Sequence, residues 1–446
     1  MKEHYDVIIV GTGAAGLYCA LNLPEKMKIL LITKQEADQS DSFLAQGGIC
    51  MLRGEDDYEN YFEDTMRAGH YENNKRAVDL MIRSSNDIIR DLLRYHVDFA
   101  RDGLGNLAFT REGAHSQPRI LFHEDITGKE ITQTLLTAAK IKENIEICEY
   151  MTMVDLISKD NTVCGIIAMD RNDQAFPVYS QYVVLACGGI GGLFKNSTNF
   201  SHIAGDGVGI AMKHHVEMEN LDYIQIHPTT LYSKKPGRRF LVSESVRGEG
   251  ALLYDKNGQR FTNELQPRDL LSQKIFAQME KDGTEFVWED MRPLGEKTIL
   301  EHFPHIYEQC VEEGFDPRKE PIPVVPAQHY FMGGVKVDYQ SRSSMENLYV
   351  VGEAACNGVH GKNRLASNSL LESLVFARRA AQDMAEHDLK NASPQNASEI
   401  ADYLASHVDF TPYQDIQTLA ETYHHLATQA ITLGQNPEGR KEFLYV

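Results

Sequence analysis

The sequence predicts an α/β protein: a Rossmann-like nucleotide-binding domain, interrupted by an inserted α+β capping domain and closed by a short helical C-terminal segment. Three observations predict it. An apolar strand, Tyr5–Val10, runs straight into Gly11-Thr-Gly13-Ala-Ala-Gly16 and a helical run stopped by Pro24. Two later strands, beginning at Tyr182 and Leu348, break into glycines in the same way. Between them, from about Leu221 to Tyr339, glycine-ended strands give way to His-Pro, Ser-Glu and proline-rich connections. The expected boundaries are 1–220 and 339–390 for the two parts of the nucleotide-binding domain, 221–338 for the capping domain and 391–446 for the helical segment.

At 446 residues the chain exceeds one compact core, so more than one domain is expected. A net charge of -20 argues against nucleic acid or an anionic membrane as partner. An anionic substrate would therefore need a local cluster of cations. The seven cysteines are odd in number, scattered and without a Cys-x-x-Cys pair, which suggests free thiols in a reducing compartment and no zinc site. No apolar run reaches membrane-span length and the N-terminus shows no cleavage-site pattern. A cytoplasmic protein without a structural metal is the expectation.

The first strand, the Gly11–Gly16 loop and the next strand, Lys28–Thr33, form the βαβ setting in which such glycines receive a dinucleotide pyrophosphate at a helix N-terminus. The acid expected at the end of the second strand, to hold a ribose, is missing. Thr33-Lys34 stands there, and Lys34 is either a partner for phosphate or ribose oxygens or a surface lysine. Asp41-Ser-Phe-Leu-Ala-Gln-Gly-Gly48 is a small-residue loop that can bring backbone amides close to a planar ring. Residues 55–100 read as scaffold helices. A polar, turn-rich stretch follows from Thr110 to Arg119, then a helix over 129–142 and strands at 145–148 and 163–169. Asp206, between Gly205 and Gly207, suits a sugar hydroxyl or a helix N-cap.

In the second half, a strand at 348–352 breaks at Gly352, Gly358 and Gly361, and a helix is expected to open at Ser369, with Ser369-x-x-Glu372 as a capping box. Strand, glycine loop and helix start make a place for an anionic, electron-rich group. His227, Arg247 with Arg268, His329, and His360 with Arg364 add cations or imidazoles. Each alone is more often structural than catalytic. Together, arginines suited to bidentate carboxylate grips point to a small dicarboxylate beside a flavin or nicotinamide, hence hydride transfer.

The motifs GTGAAG, AQGG, TREGAHSQPRI, CGGIGG, GDG, QIHPT, SESVRGEGA, PRDL, VPAQHYFMGGV and GEAACNGVHGKNRLASNSLLE resemble those of the L-aspartate oxidases, in the flavoprotein family that includes the catalytic subunits of succinate dehydrogenase and fumarate reductase. The resemblance runs from Asp6 to about Ala381. It implies FAD contacts along Gly11, Thr12, Gly13, Ala14, Ala15 and Gly16, at Lys34, and through Asp41, Ser42, Phe43, Leu44, Ala45, Gln46, Gly47 and Gly48. Further FAD contacts are implied at Asp206, Glu353, Ser369 and Leu370. Substrate carboxylates would be held by His227, Ser243, His329 and Arg364. Arg268 would transfer the proton, with Glu244 and Arg247 as a relay, a role that requires burial and a neighbouring cation because arginine is otherwise always protonated.

Departures from the family pattern sharpen the expectation. Asp41 stands where the respiratory enzymes carry the histidine that links FAD covalently, so FAD is expected to be non-covalent. Glu112 is a carboxylate where the succinate and fumarate enzymes lack one; it suits the amine of aspartate, or merely pairs with Arg111 or Arg119. Ser243 replaces a more usual threonine. The segment after residue 390 is shorter than the helical domain common in L-aspartate oxidases. The resemblance implies hydride transfer from Cα of L-aspartate to flavin N5, iminoaspartate as product, O2 or fumarate as acceptor, and the first step of NAD biosynthesis through quinolinate, with possible coupling to quinolinate synthase. Two competing expectations are a soluble fumarate reductase or succinate-oxidising flavoprotein, and a non-catalytic flavin-binding protein. His360 has no assigned role.

Overall fold

In a computed structural model of the chain, the described residues are 4–391 apart from 236, together with 413 and 415–434. The main sheet is organised by strand β1 (His4–Val10), whose residues from Val7 onward alternate between opposite faces. Val7 and Ile9 join one apolar cluster, while Tyr5, Ile8 and Val10 join another. Both faces are covered, so the strand is continuously apolar instead of alternating. β1 lies parallel between β2 (Ile29–Thr33) and the long β6 (Ala175–Leu185), and β3 (Ile145–Glu149) extends the sheet beyond β2. β4 (Thr152–Lys159) and β5 (Thr162–Met169) form an antiparallel arm that the sequence reading recognised only in its second strand.

β6 begins at Ala175, seven positions ahead of the expected Tyr182, because the edge turned away from β1 serves two further partners. Its first half pairs antiparallel with β5, and residues 183–185 pair parallel with β11 (Leu348–Val350). Thus β1, β6 and β11 run side by side and deliver their glycine-rich ends to one edge, the position at which ligands bind in such sheets. Helices α1 (Ala14–Asn22), α2 (Lys75–Arg94) and α6 (Asn368–Asn391) cover one face; α3 (Asp206–Lys213) and α7 (Ile416–Gly434) lie on the other.

Residues 224–331 build a second sheet, in the order β7 (Ile224–Leu231), β10 (Ile322–Phe331), β9 (Val287–Asp290), β8 (Leu252–Tyr254), all antiparallel. It has an apolar cluster of its own, including Leu231, Val242, Leu271, Ile275 and Val324, with α4 (Glu244–Gly248) and α5 (Arg268–Asp282) contributing. The expected proline-rich connection over 317–326 is in part strand β10. Pro326 is tolerated there because the register shifts opposite it, between His227 and Thr230, where Pro228 also sits. A bulge interrupts the ladder, so neither proline removes a needed hydrogen bond. The same bulge sets the direction of His227.

The expected capping box at Ser369 does not form. α6 begins at Asn368, Ser369 Oγ accepts from Arg364 Nη1, and the Glu372 carboxylate accepts from Asn357 Nδ2. Nearby donors outcompeted the local box. Of the C-terminal segment expected over 391–446, the described part is helix α7 with residues 391, 413 and 415; the remainder lies outside the described residues. All seven cysteines are free thiols. Among the described residues no helix is long and apolar enough to cross a membrane, and no His/Cys/Asp/Glu group could hold a metal ion.

Candidate active site

One continuous cleft runs from the β1–α1 turn to the second sheet. Its first half is made largely by backbone. Gly11 has φ +116°, and a Cβ there would lie 2.2 Å from the carbonyl oxygen of Ala186, so β1 and β6 approach closely only with glycine. Gly16 is excluded from substitution by Gly11 O, 2.1 Å from its would-be Cβ, which seats α1 on the sheet. Ala14 N donates to Ser42 Oγ at 3.1 Å, joining the turn to the 41–48 segment, which opens as a helical turn over Asp41–Leu44 and not as the expected loop. Thr12, Gly13, Ala15, Ser42, Leu44, Ala45, Gln46, Gly47 and Gly48 line the cleft. Ala14, Gly16 and Phe43 do not: the first two pack against protein, and the third joins the apolar cluster under the sheet.

Lys34, at the end of β2, is ion-paired with Asp206 at the start of α3, and its Nζ also donates to His202 O at 3.1 Å. It is not a free surface lysine; burial lowers its pKa to about 8. Asp41 accepts from Asn199 Nδ2 (2.8 Å) and Phe200 N (2.9 Å), yet burial still raises it to about 7. Glu353 is pushed up to about 8 by burial and by Asp41, and accepts from Phe331 N at 2.9 Å.

The second half of the cleft is made of side chains from separate segments. Arg268, the first residue of α5, donates from Nε to Glu244 Oε2 (2.6 Å) and from Nη1 to Gln225 Oε1 (2.9 Å). Arg364 Nε reaches the same Gln225 oxygen at 3.3 Å, and its guanidinium lies over the Tyr330 ring, 4.3 Å from the centroid. Burial, then Arg268, lower Arg364 to about 10, which leaves it cationic at neutral pH. His227 and His329 stack edge to face with centroids 5.0 Å apart. Burial and the arginines (Arg268 for His227, Arg364 for His329) hold both imidazoles well below their usual pKa, so both are neutral. His329 Nδ1 lies 2.8 Å from Thr198 Oγ1; His227 Nε2 is buried with no partner. Ser243 caps α4 through Ser245 N.

Glu112 is buried in this half, accepting from Ser245 Oγ (2.9 Å) and from Ser367 Oγ. Neither Arg111 nor Arg119 takes it: Arg119 is engaged by Asp57 and Asp64. Burial and the neighbouring Glu244 raise its pKa. For Glu244, burial would do the same, but Arg268 and Arg247 outweigh it and the net shift is downward. Arg247 does not line the cleft. It lies behind Glu244, donating to Glu264 O (2.9 Å) and Thr229 Oγ1 (3.4 Å), so it cannot grip substrate. His360 packs edge-on against Tyr330, centroids 5.4 Å apart, backing the ring on which Arg364 rests.

Four residues escaped the sequence reading. Gln225 ties the two arginines together; Ser245 and Ser367 hold Glu112; Tyr330 carries Arg364. Gln225 had a signal, since it precedes His227 by two positions on one strand and so shares its side. Ser367 had none: its left-handed backbone (φ 61°) lets Oγ reach both Glu112 and Gly48 N.

The FAD binding domain family matches residues 6–370. An L-aspartate oxidase of Clostridium perfringens is 49% identical over 385 residues, covering 86% of this chain and 87% of that one. The chain belongs to the L-aspartate oxidase family. A second member, from Clostridium acetobutylicum, is 46% identical and covers 86% and 88%. Among solved structures, a mutant E. coli quinol fumarate reductase superimposes with a TM-score of 0.82 at 30% identity, over 91% of this chain and 75% of that one. FAD is accordingly the cofactor. The cleft fits it: Ser40 Oγ and Gln46 Oε1 line the first half, buried and without a hydrogen-bond partner, as polar atoms awaiting a ligand would be.

Proposed function

We propose that this chain oxidises L-aspartate to iminoaspartate, with FAD held non-covalently because Asp41 offers no nitrogen for a flavin bond. The observation that carries the proposal is Glu112, a carboxylate buried in the same cleft as Arg268 and Arg364. Two arginines suit a dicarboxylate, and a buried acid beside them suits only a substrate that also brings an ammonium. Succinate would leave that acid unpaired.

Arg364, His329, His227 and Ser243 hold the two carboxylates, and Glu112 takes the amine. When bound, FAD accepts the hydride that leaves Cα as the amine loses a proton and the C=N bond forms. The neutral imidazoles donate hydrogen bonds without competing as charges, and the Arg364 guanidinium supplies the cation that grips a carboxylate. Arg268, bonded to Glu244, is the proton-transferring residue. With fumarate as acceptor it supplies the proton to one alkene carbon while hydride reaches the other; Arg247 supports the relay from behind Glu244 and touches no substrate. Fumarate fits a family whose relatives include a fumarate reductase, and O2 is the alternative acceptor.

Residues 221–338 form the capping domain, inserted between the two parts of the FAD domain (1–220 and 339–390), and they close over substrate and exclude water. In the C-terminal segment, 391–446, helix α7 packs against α3. Iminoaspartate is unstable in water, so coupling to quinolinate synthase in the cytoplasm, on the route to NAD, suits its handling. Anaerobic titration of the flavin absorbance tests the proposal. L-Aspartate should bleach it, and D-aspartate, L-glutamate and succinate should not. Bleaching by succinate alone would assign the chain to the succinate-oxidising enzymes; a flavin inert to all four would leave only a binding role.

A further inference from the structure

Helix α7 lies beyond the residues that the FAD binding domain family matches, yet it reaches the cofactor half of the cleft. We propose that α7 is a strap on that half and that His424 is a positioning residue of the FAD site, holding Asp206 and through it Lys34. The proposal rests on FAD occupying the cleft and not on which substrate is oxidised.

The two oxygens of Asp206 are divided between two partners. Oδ2 takes Lys34, and Oδ1 lies 3.2 Å from His424 Nε2. Lys34 and Asp206 both line the cleft; His424 stands behind them. Asp206 alone could swing toward water or toward Lys34, but with one oxygen held by His424 its carboxylate plane is fixed. Lys34, drawn in by Asp206 and by His202 O, is then presented at the end of β2, where the missing ribose acid would stand.

The docking of α7 is specific. A Cβ on Gly209 would lie 2.7 Å from Tyr423 Cβ, and one on Gly205 would lie 3.6 Å from Ala427 Cβ. α3 therefore turns a glycine surface toward α7, and only at Gly209 does the approach exclude a side chain. Tyr423 is 3% exposed and its hydroxyl donates to Val154 O at 2.8 Å. Ala427 and Ile431 are buried with Ile190, Phe194 and Val208. Tyr413, ahead of the helix, donates to Asp155 Oδ2 at 2.6 Å. Apolar burial supplies the affinity of the helix for α3, and His424 converts that docking into a contact with the cofactor-lining acid.

The test uses the whole 446-residue chain, stripped of flavin and titrated with FAD while flavin fluorescence is followed. His424→Ala should raise the FAD Kd about fivefold, the loss of one hydrogen bond to a largely buried ion pair. His424→Gln, whose amide can donate to Asp206, should recover most of that loss; a role limited to helix packing would show no such rescue. Gly209→Val, which must displace Tyr423, should raise Kd by about tenfold or more, with circular dichroism reporting whether the chain remains folded. Should Gly209→Val not fold, His424→Ala and His424→Gln decide alone. A Kd within twofold of the parent for His424→Ala, or equal losses for Ala and Gln, overturns the proposal. Failure of the parent chain itself to bind FAD would instead overturn the cofactor assignment.

Discussion

The two halves of the cleft are built by different means. The half proposed to hold FAD is built largely by backbone and glycine: Gly11 and Gly16 permit contacts that any Cβ would prevent, and the Asp41–Gly48 segment lies along it. The half that faces substrate is side chain, assembled from segments that meet only on folding. Arg268 and Glu244 are 24 positions apart, Arg364 and Gln225 are 139 apart, and Glu112 and Ser367 are 255 apart. A backbone-built site fails by misfolding or by losing its ligand. A side-chain-built site can lose its chemistry while the fold and cofactor stay. Substitutions in the two halves should therefore separate catalysis from FAD retention.

The largest effect is expected from Arg364→Leu. It removes the buried cation proposed to grip a substrate carboxylate and leaves Gln225 Oε1 and the Tyr330 face without it. kcat/KM for L-aspartate should fall about 10³-fold, roughly 4 kcal/mol of transition-state binding. FAD content should remain near that of the parent. Steady-state assays with the flavin-to-protein absorbance ratio check both, and loss of flavin together with activity would erase the distinction between the halves. Gly11→Val should do the opposite. A branched side chain at φ +116°, with its Cβ against Ala186 O, should cost about 3 kcal/mol or more of stability. The purified variant should be colourless, and a yellow protein of parental melting temperature contradicts the backbone account.

The same contrast explains what could be read before the structure was known. The cofactor half was legible because its determinants are local: a strand, glycines at fixed spacing and a helix start obey rules that span about twenty residues. The substrate half was legible only as a set of residue types, and its geometry was not. Arg247 and Arg268 were alike as residue types suited to gripping carboxylates, yet Arg247 lies behind Glu244, because α4 and α5 present them from different elements. The supposed cap at Ser369 failed for the same reason: a distant arginine took the hydroxyl that a local rule had assigned to the helix. Lys34 illustrates a middle case, correctly placed at the strand end but paired with Asp206 across the fold.

Glu112→Gln sharpens the substrate half further. The charge is lost while Ser245 and Ser367 keep a hydrogen-bonding partner, so the fold and the flavin should be unaffected. KM for L-aspartate should rise about 30- to 100-fold, the worth of one charge-assisted hydrogen bond. Succinate should become a better competitive inhibitor than it is of the parent. Because burial and Glu244 raise the pKa of Glu112, capture of aspartate by the parent should weaken as pH falls through that raised value. The ammonium stabilises the ionised acid, and protonation removes the partner. The variant should lack this acid limb, and a variant that retains it shows that another group titrates.

The smallest effect lies behind the substrate half, where the second sheet holds polar groups it does not satisfy. Glu289, on β9, is completely buried, and both its carboxyl oxygens lack a hydrogen-bond partner. Nearby Arg247 also leaves Nη2 unpartnered. Burial raises Glu289 to about 8, with Arg247 opposing and Glu264 reinforcing the shift. An acid whose folded pKa lies above its unfolded value binds more protons when native, so its contribution to stability declines as pH rises from about 4.5 toward 8. Glu289→Leu removes both the unpartnered carboxyl and its titration. It should stabilise the holoprotein by about 1–2 kcal/mol near the upper end of that window and by less near the lower end. Urea unfolding at pH 5.5 and 8.5 measures the difference, and an equal change at both values would mean that Glu289 is not neutral in the native state. A gain confined to alkaline pH would show that the side-chain-built half, unlike the glycine-built half, retains a stability cost in its buried polar groups.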